Sequence, residues 1–331
     1  MSLHANISVF VPHIGCPNRC SFCNQNHITG ECEAPTAKTV DDAVRDALNS
    51  PKFDSVNTEL AFFGGSFTAI DRDYRLELLN AAYKYVQNGT IRGIRISTRP
   101  DAISEEIIEE LKNYGVTAIE LGAQSMVDEV LTLNRRGHTT EDVKKASELI
   151  KESGLQLGLQ MMTGLLGDTD AGALYTAKSI ADLSPDTVRI YPTIVLKNTY
   201  LEKAFIDGMY KPQTVDAAAN LCAELLTFFE SKGINVIRVG LHSIDNDAFV
   251  AGPWHAAFGE IVKSKIYLEV ILTAFVDKPK GNYVVFVNPS EISKAVGQKR
   301  ANIEKLSKLG YEIKIKGDNN TNINSVKIKE E

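Results

Sequence analysis

Between residues 7 and 191, short β-rich runs alternate with amphipathic stretches, and that alternation leaves the chain few folds to choose from. The runs are 8–11, 59–63, 93–97, 118–121, 156–161 and 187–191. Stretches with apolar residues at helical spacing lie between them, at 74–86, 104–114, 140–153 and 171–183. Ser104 stands where an N-cap belongs, and Gly115 where a helix hands over to a left-handed residue. Strand–helix–strand repeats of this kind cross over right-handedly and pair in parallel. The expectation is an α/β fold, a partial (β/α)6 TIM-like barrel spanning 1–245, with its chemistry at the C-terminal ends of the strands.

Composition narrows the class. The 331 residues are 44% apolar and 24% charged, with no run of 18 apolar residues and no basic-then-apolar leader, so the expected setting is cytoplasmic, with no membrane partner. Of five cysteines, Cys222 falls in the helical pattern Ala217-Leu221-Leu225 and is expected in the core. The net charge of −6 argues against strong nucleic-acid binding by the chain as a whole. Its distribution is uneven: residues 262–331 carry 13 Lys and Arg against 8 Asp and Glu, the remainder 23 against 34. A basic module on an acidic body is the result.

Directly after the first β-run stands Cys16-Pro17-Asn18-Arg19-Cys20-Ser21-Phe22-Cys23, a C-x3-C-x2-C cluster. Closely spaced thiolates favour iron–sulfur clusters or zinc. Zinc in a structural site takes four protein ligands, for which Cys32, His13 or His27 could supply the fourth. A four-iron cluster on three cysteines keeps one iron open for a ligand.

This spacing, with an aromatic before the last cysteine, resembles the radical S-adenosylmethionine (SAM) superfamily. The resemblance implies a [4Fe-4S] cluster on Cys16, Cys20 and Cys23, whose open iron takes the amino and carboxylate groups of SAM. It further implies one-electron cleavage to methionine and a 5′-deoxyadenosyl radical, with a reductant such as flavodoxin or ferredoxin. Gly64, Gly65 and Ser66, one βα unit later, resemble the glycine motif that receives the methionine end. The later motifs fall at strand ends in order: Ser97-Thr98-Arg99-Pro100-Asp101, Gly122-Ala123-Gln124-Ser125, Asn134-Arg135-Arg136-Gly137-His138-Thr139 and Ile190-Tyr191-Pro192-Thr193. Together they resemble the Elongator catalytic-subunit branch, which modifies wobble uridine in tRNA, over roughly residues 8 to 243. Matching to the related coproporphyrinogen-dehydrogenase branch implies that Ser97 and Gln124 face the ribose or nearby polar atoms. The same match implies that Arg135 pairs with the methionine carboxylate, and sets Gln160 where that branch has an acid. The cysteine spacing is tighter than Elongator's, and the 331 residues have no room for its acetyltransferase domain. Acetyl-CoA-dependent carboxymethyl transfer is therefore not expected to carry over.

Residues 234–241 are strand-like, and Trp254 and His255 follow a Gly-Pro turn, where an aromatic pair could stack on a base. A connecting helical segment over 246–280 leads to a small α+β module over 281–331. The module's order is strand, helix, turn, helix, strand, and it resembles a KH-type RNA-binding core. Lys299 and Arg300 occupy its turn, with Arg300 in place of the second glycine of G-x-x-G. Beyond Lys316 an Asn-rich mobile tail is expected. The function expected is radical-SAM chemistry on RNA, most simply tRNA. The rivals are a radical-SAM oxidoreductase on a small or porphyrin-like molecule, and a non-catalytic RNA-binding protein with a structural metal.

Overall fold

The computed structural model of the chain describes residues 5–11, 16, 20–24, 33–241, 244 and 247–331. His13, His27 and Cys32, the candidate fourth zinc ligands, lie outside the described residues. All six expected runs form strands: β1 (Ala5–Val11), β2 (Thr58–Gly64), β3 (Gly93–Thr98), β4 (Val116–Gln124), β5 (Gln156–Thr163) and β6 (Thr187–Pro192). Each is longer than expected at one or both ends. The helices between them are α1 (Ala37–Leu48), α2 (Arg72–Gln87), α3 (Glu105–Asn113), α4 (Asp128–Leu133), α5 (Thr140–Glu152) and α6 (Asp170–Asp182). Ser104 caps α3 by accepting from Ile107 N, and Gly115 follows that helix at φ +73°.

The strands pair in parallel in chain order, and alternation of side chains decides what each face meets. Leu60, Phe62, Ile94, Ile96, Ile119, Leu121, Leu157, Leu159, Val188 and Ile190 turn outward, where they join helix residues in the main core. The opposite set is polar or small: Glu59, Arg95, Ser97, Glu120, Gly122, Gly158, Gln160 and Arg189. These fill the concave face of the curled sheet.

The barrel has seven strands, one more than the six repeats predict. The short strand β7 (Val195–Leu196) and the helices α7 (Tyr200–Ile206) and α8 (Val215–Ser231) follow β6, and then β8 (Asn235–Val239) pairs with β6 in parallel. Helix α8 makes this possible by burying Ala218, Leu221, Cys222, Leu225 and Phe229 against the barrel, which returns the chain to the open edge of β6. Cys222 is a core residue, as its spacing predicts. Strand β9 (Phe249–Ala251) pairs antiparallel with β7 beside the C-terminal ends of the barrel strands.

Helix α9 (Phe258–Ala274) serves two cores. Phe258 and Val262 pack into the barrel core, whereas Tyr267, Leu268 and Ile271 pack beneath the C-terminal sheet. That sheet has β10 (Gly281–Val287) at its centre, parallel to β11 (Tyr311–Gly317) and antiparallel to β12 (Val326–Glu330). Helices α10 (Ile292–Val296) and α11 (Ala301–Lys308) connect β10 to β11. The residues beyond Lys316 are therefore not a mobile tail. Val326 and Ile328 pack on the second core, and that burial holds β12 in register with β10. No helix among the described residues is long and apolar enough to cross a membrane.

Candidate active site

A cavity of about 280 Å³ opens at the C-terminal ends of the barrel strands. Cys16, Cys20 and Cys23 line it, together with Gly64, Gly65, Ser97, Gln124 and Gln160. The structure thus brings together eight of the residues singled out from the sequence. The cysteine segment is held at Ser21, which is fully buried. Ser21 Oγ donates to Asn134 Oδ1 at 2.6 Å, Ser21 N donates to Asn134 O at 3.1 Å, and Leu201 N at the start of α7 donates to Ser21 O at 2.8 Å. Asn134 in turn donates to Val130 O and Leu166 O. The Asn134–Thr139 loop thereby fixes the height of the cysteine segment.

Gly64 has φ +97°, and a Cβ there would lie 2.9 Å from Val11 O. Only a residue without a side chain lets β1 and β2 close at this point, where Gly65 N also donates to Val11 O at 2.8 Å. Ser66 is elsewhere. It is fully buried, its Oγ shares a hydrogen bond with Thr98 Oγ1 at 2.9 Å and accepts from Arg99 N at 3.2 Å, so it braces two strand ends.

Arg135 does not reach the cavity either. Its φ of +55° turns the side chain out to solvent, where the guanidinium lies 3.9 Å from the Tyr200 ring centroid. Its neighbour Arg136, which the sequence reading passed over, is 8% exposed and lines the cavity. Arg136 Nη1 donates to Cys20 Sγ at 3.0 Å and Nη2 to Gly122 O at 2.7 Å. Two residues on, His138 Nε2 lies 3.2 Å from Ala123 O. A carbonyl can only accept, so Nε2 carries the proton. Burial first, and Arg136 second, push the His138 pKa down to about 4, and the ring is neutral. Arg136 and His138 together hold the carbonyls at the end of β4, after which Gln124 takes a φ of +66°.

The concave face beneath the cavity is a buried ionic layer. Glu120 accepts from Arg189 Nη2 at 2.7 Å and from Gln160 Nε2 at 2.9 Å, with Arg95 Nη1 at 3.4 Å. Arg95 also donates through Nε to Glu59 at 2.9 Å. Burial alone disfavours the Arg189 charge, but Glu120 and Tyr191 outweigh it and raise the pKa above its ordinary value. For Cys16, burial and then the Cys20 thiol push the pKa up, against Arg99 and Arg136.

Among the buried polar atoms of the cavity-lining residues, Ser97 Oγ and Gln124 Oε1 have no hydrogen-bond partner. Leaving such atoms unpaired costs roughly 1–3 kcal/mol each. A polar ligand in the cavity would relieve that cost. Among the described residues no three His, Cys, Asp or Glu side chains converge as they would around a single ion. A four-iron cluster places its thiolates on separate irons and spaces them more widely. The donor set fits such a cluster beside SAM.

Trp254 and His255 lie off the cavity. Trp254 packs with Phe249, Ile194, Leu196 and Ile244, behind the cavity's apolar wall. His255 Nδ1 accepts from Ala257 N, and its Nε2 lies 3.4 Å from Gln298 Nε2. Lys299 and Arg300 follow Gln298 in the turn between α10 and α11, exposed and at φ +50° and +64°. Gly297 (φ +75°) packs against Ser264 and Asn302, and Asn302 Nδ2 donates to Ser264 O on α9 at 3.0 Å, which fixes the base of that turn.

A family model described as the radical SAM superfamily matches residues 10–180, and one described as the radical SAM C-terminal domain matches residues 185–267. The chain belongs to the radical SAM superfamily. Its likeness within the superfamily is to the Elongator-like branch. It is 31% identical over 227 residues to a tRNA uridine(34) acetyltransferase of Methanocaldococcus jannaschii, covering 62% of this chain and 41% of that protein. To Elongator complex protein 3 of Saccharomyces cerevisiae it is 29% identical over 190 residues, covering 51% and 34%. The chain thus spans less than half the length of these curated relatives. The solved archaeal Elp3 of Methanocaldococcus infernus superposes with a TM-score of 0.67 at 26% identity, over 81% of this chain and 63% of that one. The coproporphyrinogen III oxidase HemN of Escherichia coli shares the fold, with a TM-score of 0.50 at 19% identity over 70% of this chain and 54% of that one.

Proposed function

We propose that this radical SAM protein is a tRNA-modifying enzyme that holds a [4Fe-4S] cluster on Cys16, Cys20 and Cys23 and binds SAM in the adjoining cavity. When bound and reduced, the cluster supplies the electron that cleaves SAM to methionine and a 5′-deoxyadenosyl radical. Gly64 and Gly65 let the methionine end approach β1 and β2 closely. Ser97 and Gln124 supply a hydroxyl and an amide to the polar atoms of SAM. Arg136, which lines the cavity with Arg99 and Arg189, takes the methionine-carboxylate role that the resemblance implies for Arg135. Phe22, Met162 and Tyr191 shield the site from water.

The observation that carries this reading is the meeting of three thiols with the unpartnered Ser97 Oγ and Gln124 Oε1 in one cavity at the strand C-termini. The RNA substrate is supported by the archaeal relative whose name specifies tRNA uridine 34, and by the exposed Lys299 and Arg300 in the C-terminal turn. The reductant on this reading is a low-potential flavodoxin or ferredoxin, and the setting is the cytoplasm.

Anaerobic reconstitution followed by dithionite and SAM, with and without bulk tRNA, tests the proposal through the 5′-deoxyadenosine released. Release that rises with tRNA is expected. Release indifferent to tRNA would move the substrate to a small molecule, and no release from cluster-loaded protein would overturn the radical mechanism.

A further inference from the structure

We propose that Arg136 sets the reduction potential of the cluster through Cys20, an inference that rests on the cluster assigned above. The geometry is specific. Arg135 and Gly137 flank Arg136 with φ of +55° and +74°, so the loop turns alternate side chains out and in. Arg136 is carried inward, where it is buried to within 8% exposure. One nitrogen of its fork donates to Gly122 O at 2.7 Å and the other to Cys20 Sγ at 3.0 Å. The carbonyl bond anchors the guanidinium to the end of β4, and the second N–H falls on a cluster sulfur.

Among the described residues the two guanidiniums beside the cysteines are not equivalent. Arg99 is paired with Asp101 by two bonds of 2.8 and 2.7 Å, so much of its charge is cancelled locally. No carboxylate among the described residues pairs with Arg136. In the absence of SAM its charge is uncancelled, desolvated and about 3 Å from sulfur.

Hydrogen bonds to cluster sulfurs and nearby charge are among the factors that set iron–sulfur potentials. Reduction adds one electron to the cluster with no bond made or broken. A fixed positive charge therefore favours the reduced form, and more strongly in a buried site than in water. Arg136 is on this account a positioning and tuning residue, acting on the reaction through Cys20.

The test is a redox titration of reconstituted protein without SAM, dithionite supplying the electron and the reduced cluster read by electron paramagnetic resonance. Iron and sulfide are measured first. A wild-type chain that assembles no cluster would refute the cluster itself, which separates that failure from this one. Arg136→Gln is expected to lower the equilibrium constant for reduction about tenfold, 59 mV for one electron. Arg136→Lys, which keeps the charge, is expected to move it by less than half as much. In wild-type protein grown on 15N-arginine, the nitrogen coupling to the reduced cluster should change isotope. Equal midpoints for wild type and Arg136→Gln at equal iron content would overturn the proposal. So would the absence of any arginine coupling, which decides the matter alone if Arg136→Gln fails to assemble.

Discussion

Ser97 is the residue at which folding and binding make opposite demands. Its Oγ is buried without a partner, so Ser97→Ala should leave the ligand-free chain as stable as wild type or about 1 kcal/mol more stable. The same change should weaken SAM binding roughly tenfold, about 1.4 kcal/mol. Thermal unfolding and calorimetric titration read the two effects separately, and a loss of stability without a loss of affinity would make Ser97 a structural residue. His138 makes a pH prediction. Its folded pKa, about 4, lies below its unfolded value, so the unfolded chain binds the proton more readily. The contribution is complete above the unfolded pKa near 6.5 and is lost as pH falls from there to about 4, roughly 3 kcal/mol in all. Denaturant titrations across that window should show a shallower loss for His138→Gln than for wild type. The three cysteines, the glycine pair, Ser97, Gln124 and Gln160 were legible in the sequence because each sits in a motif at a strand end. The exchange of Arg135 for Arg136 was not, because adjacent arginines look alike until φ at Arg135 is known. The Ser66 hydroxyl bonds Thr98 instead of lining the cavity, since a hydroxyl after a glycine pair serves a ligand or a neighbouring strand equally well.

At the scale of elements, the ionic layer under the cavity ties five strands through single side chains. Glu120 on β4 reaches Arg95 on β3, Gln160 on β5 and Arg189 on β6, and Arg95 reaches Glu59 on β2. Removing one member of a buried pair strands the other charge, at a cost of roughly 3–5 kcal/mol. Glu120→Ala is expected to destabilise by about that amount in urea unfolding, and a change under 1 kcal/mol would show the layer to be solvated. The apolar half of each strand is readable from the sequence and the charges fall inside the expected β-runs, but nothing in the sequence shows that they meet one another. They are inward positions of a period-2 pattern whose inside is polar. The pairing of the strand-like 234–241 as a seventh barrel strand, and β12 altogether, escaped for another reason. Both are short, and they are held by pairing partners distant in the chain, Val188 with Val236 and Val285 with Ile328. In the C-terminal module, replacing Lys299 and Arg300 together with Ala should weaken RNA binding and reduce the salt slope by about 0.7 per lost phosphate contact. SAM cleavage without RNA should be unaffected, since neither residue lines the cavity. An unaltered affinity would remove that turn from the RNA surface.

The whole molecule places a cavity with three thiols at one end of a seven-stranded half-barrel, and α9 joins that barrel to a small sheet carrying exposed cations. Asn302 at the base of the basic turn donates to Ser264 O on α9, so the turn is held at a fixed position relative to the helix that joins the two parts. An RNA long enough to touch both could present one nucleotide to the cavity while its backbone rests on the turn. The decisive measurement is low-temperature electron paramagnetic resonance of the anaerobically reconstituted, dithionite-reduced chain, with and without SAM, beside Cys20→Ala. The expected result is the spectrum of a reduced four-iron cluster that changes when SAM is added and is absent from Cys20→Ala. A chain that takes up one zinc ion and no iron, or whose iron spectrum ignores SAM, would contradict the account.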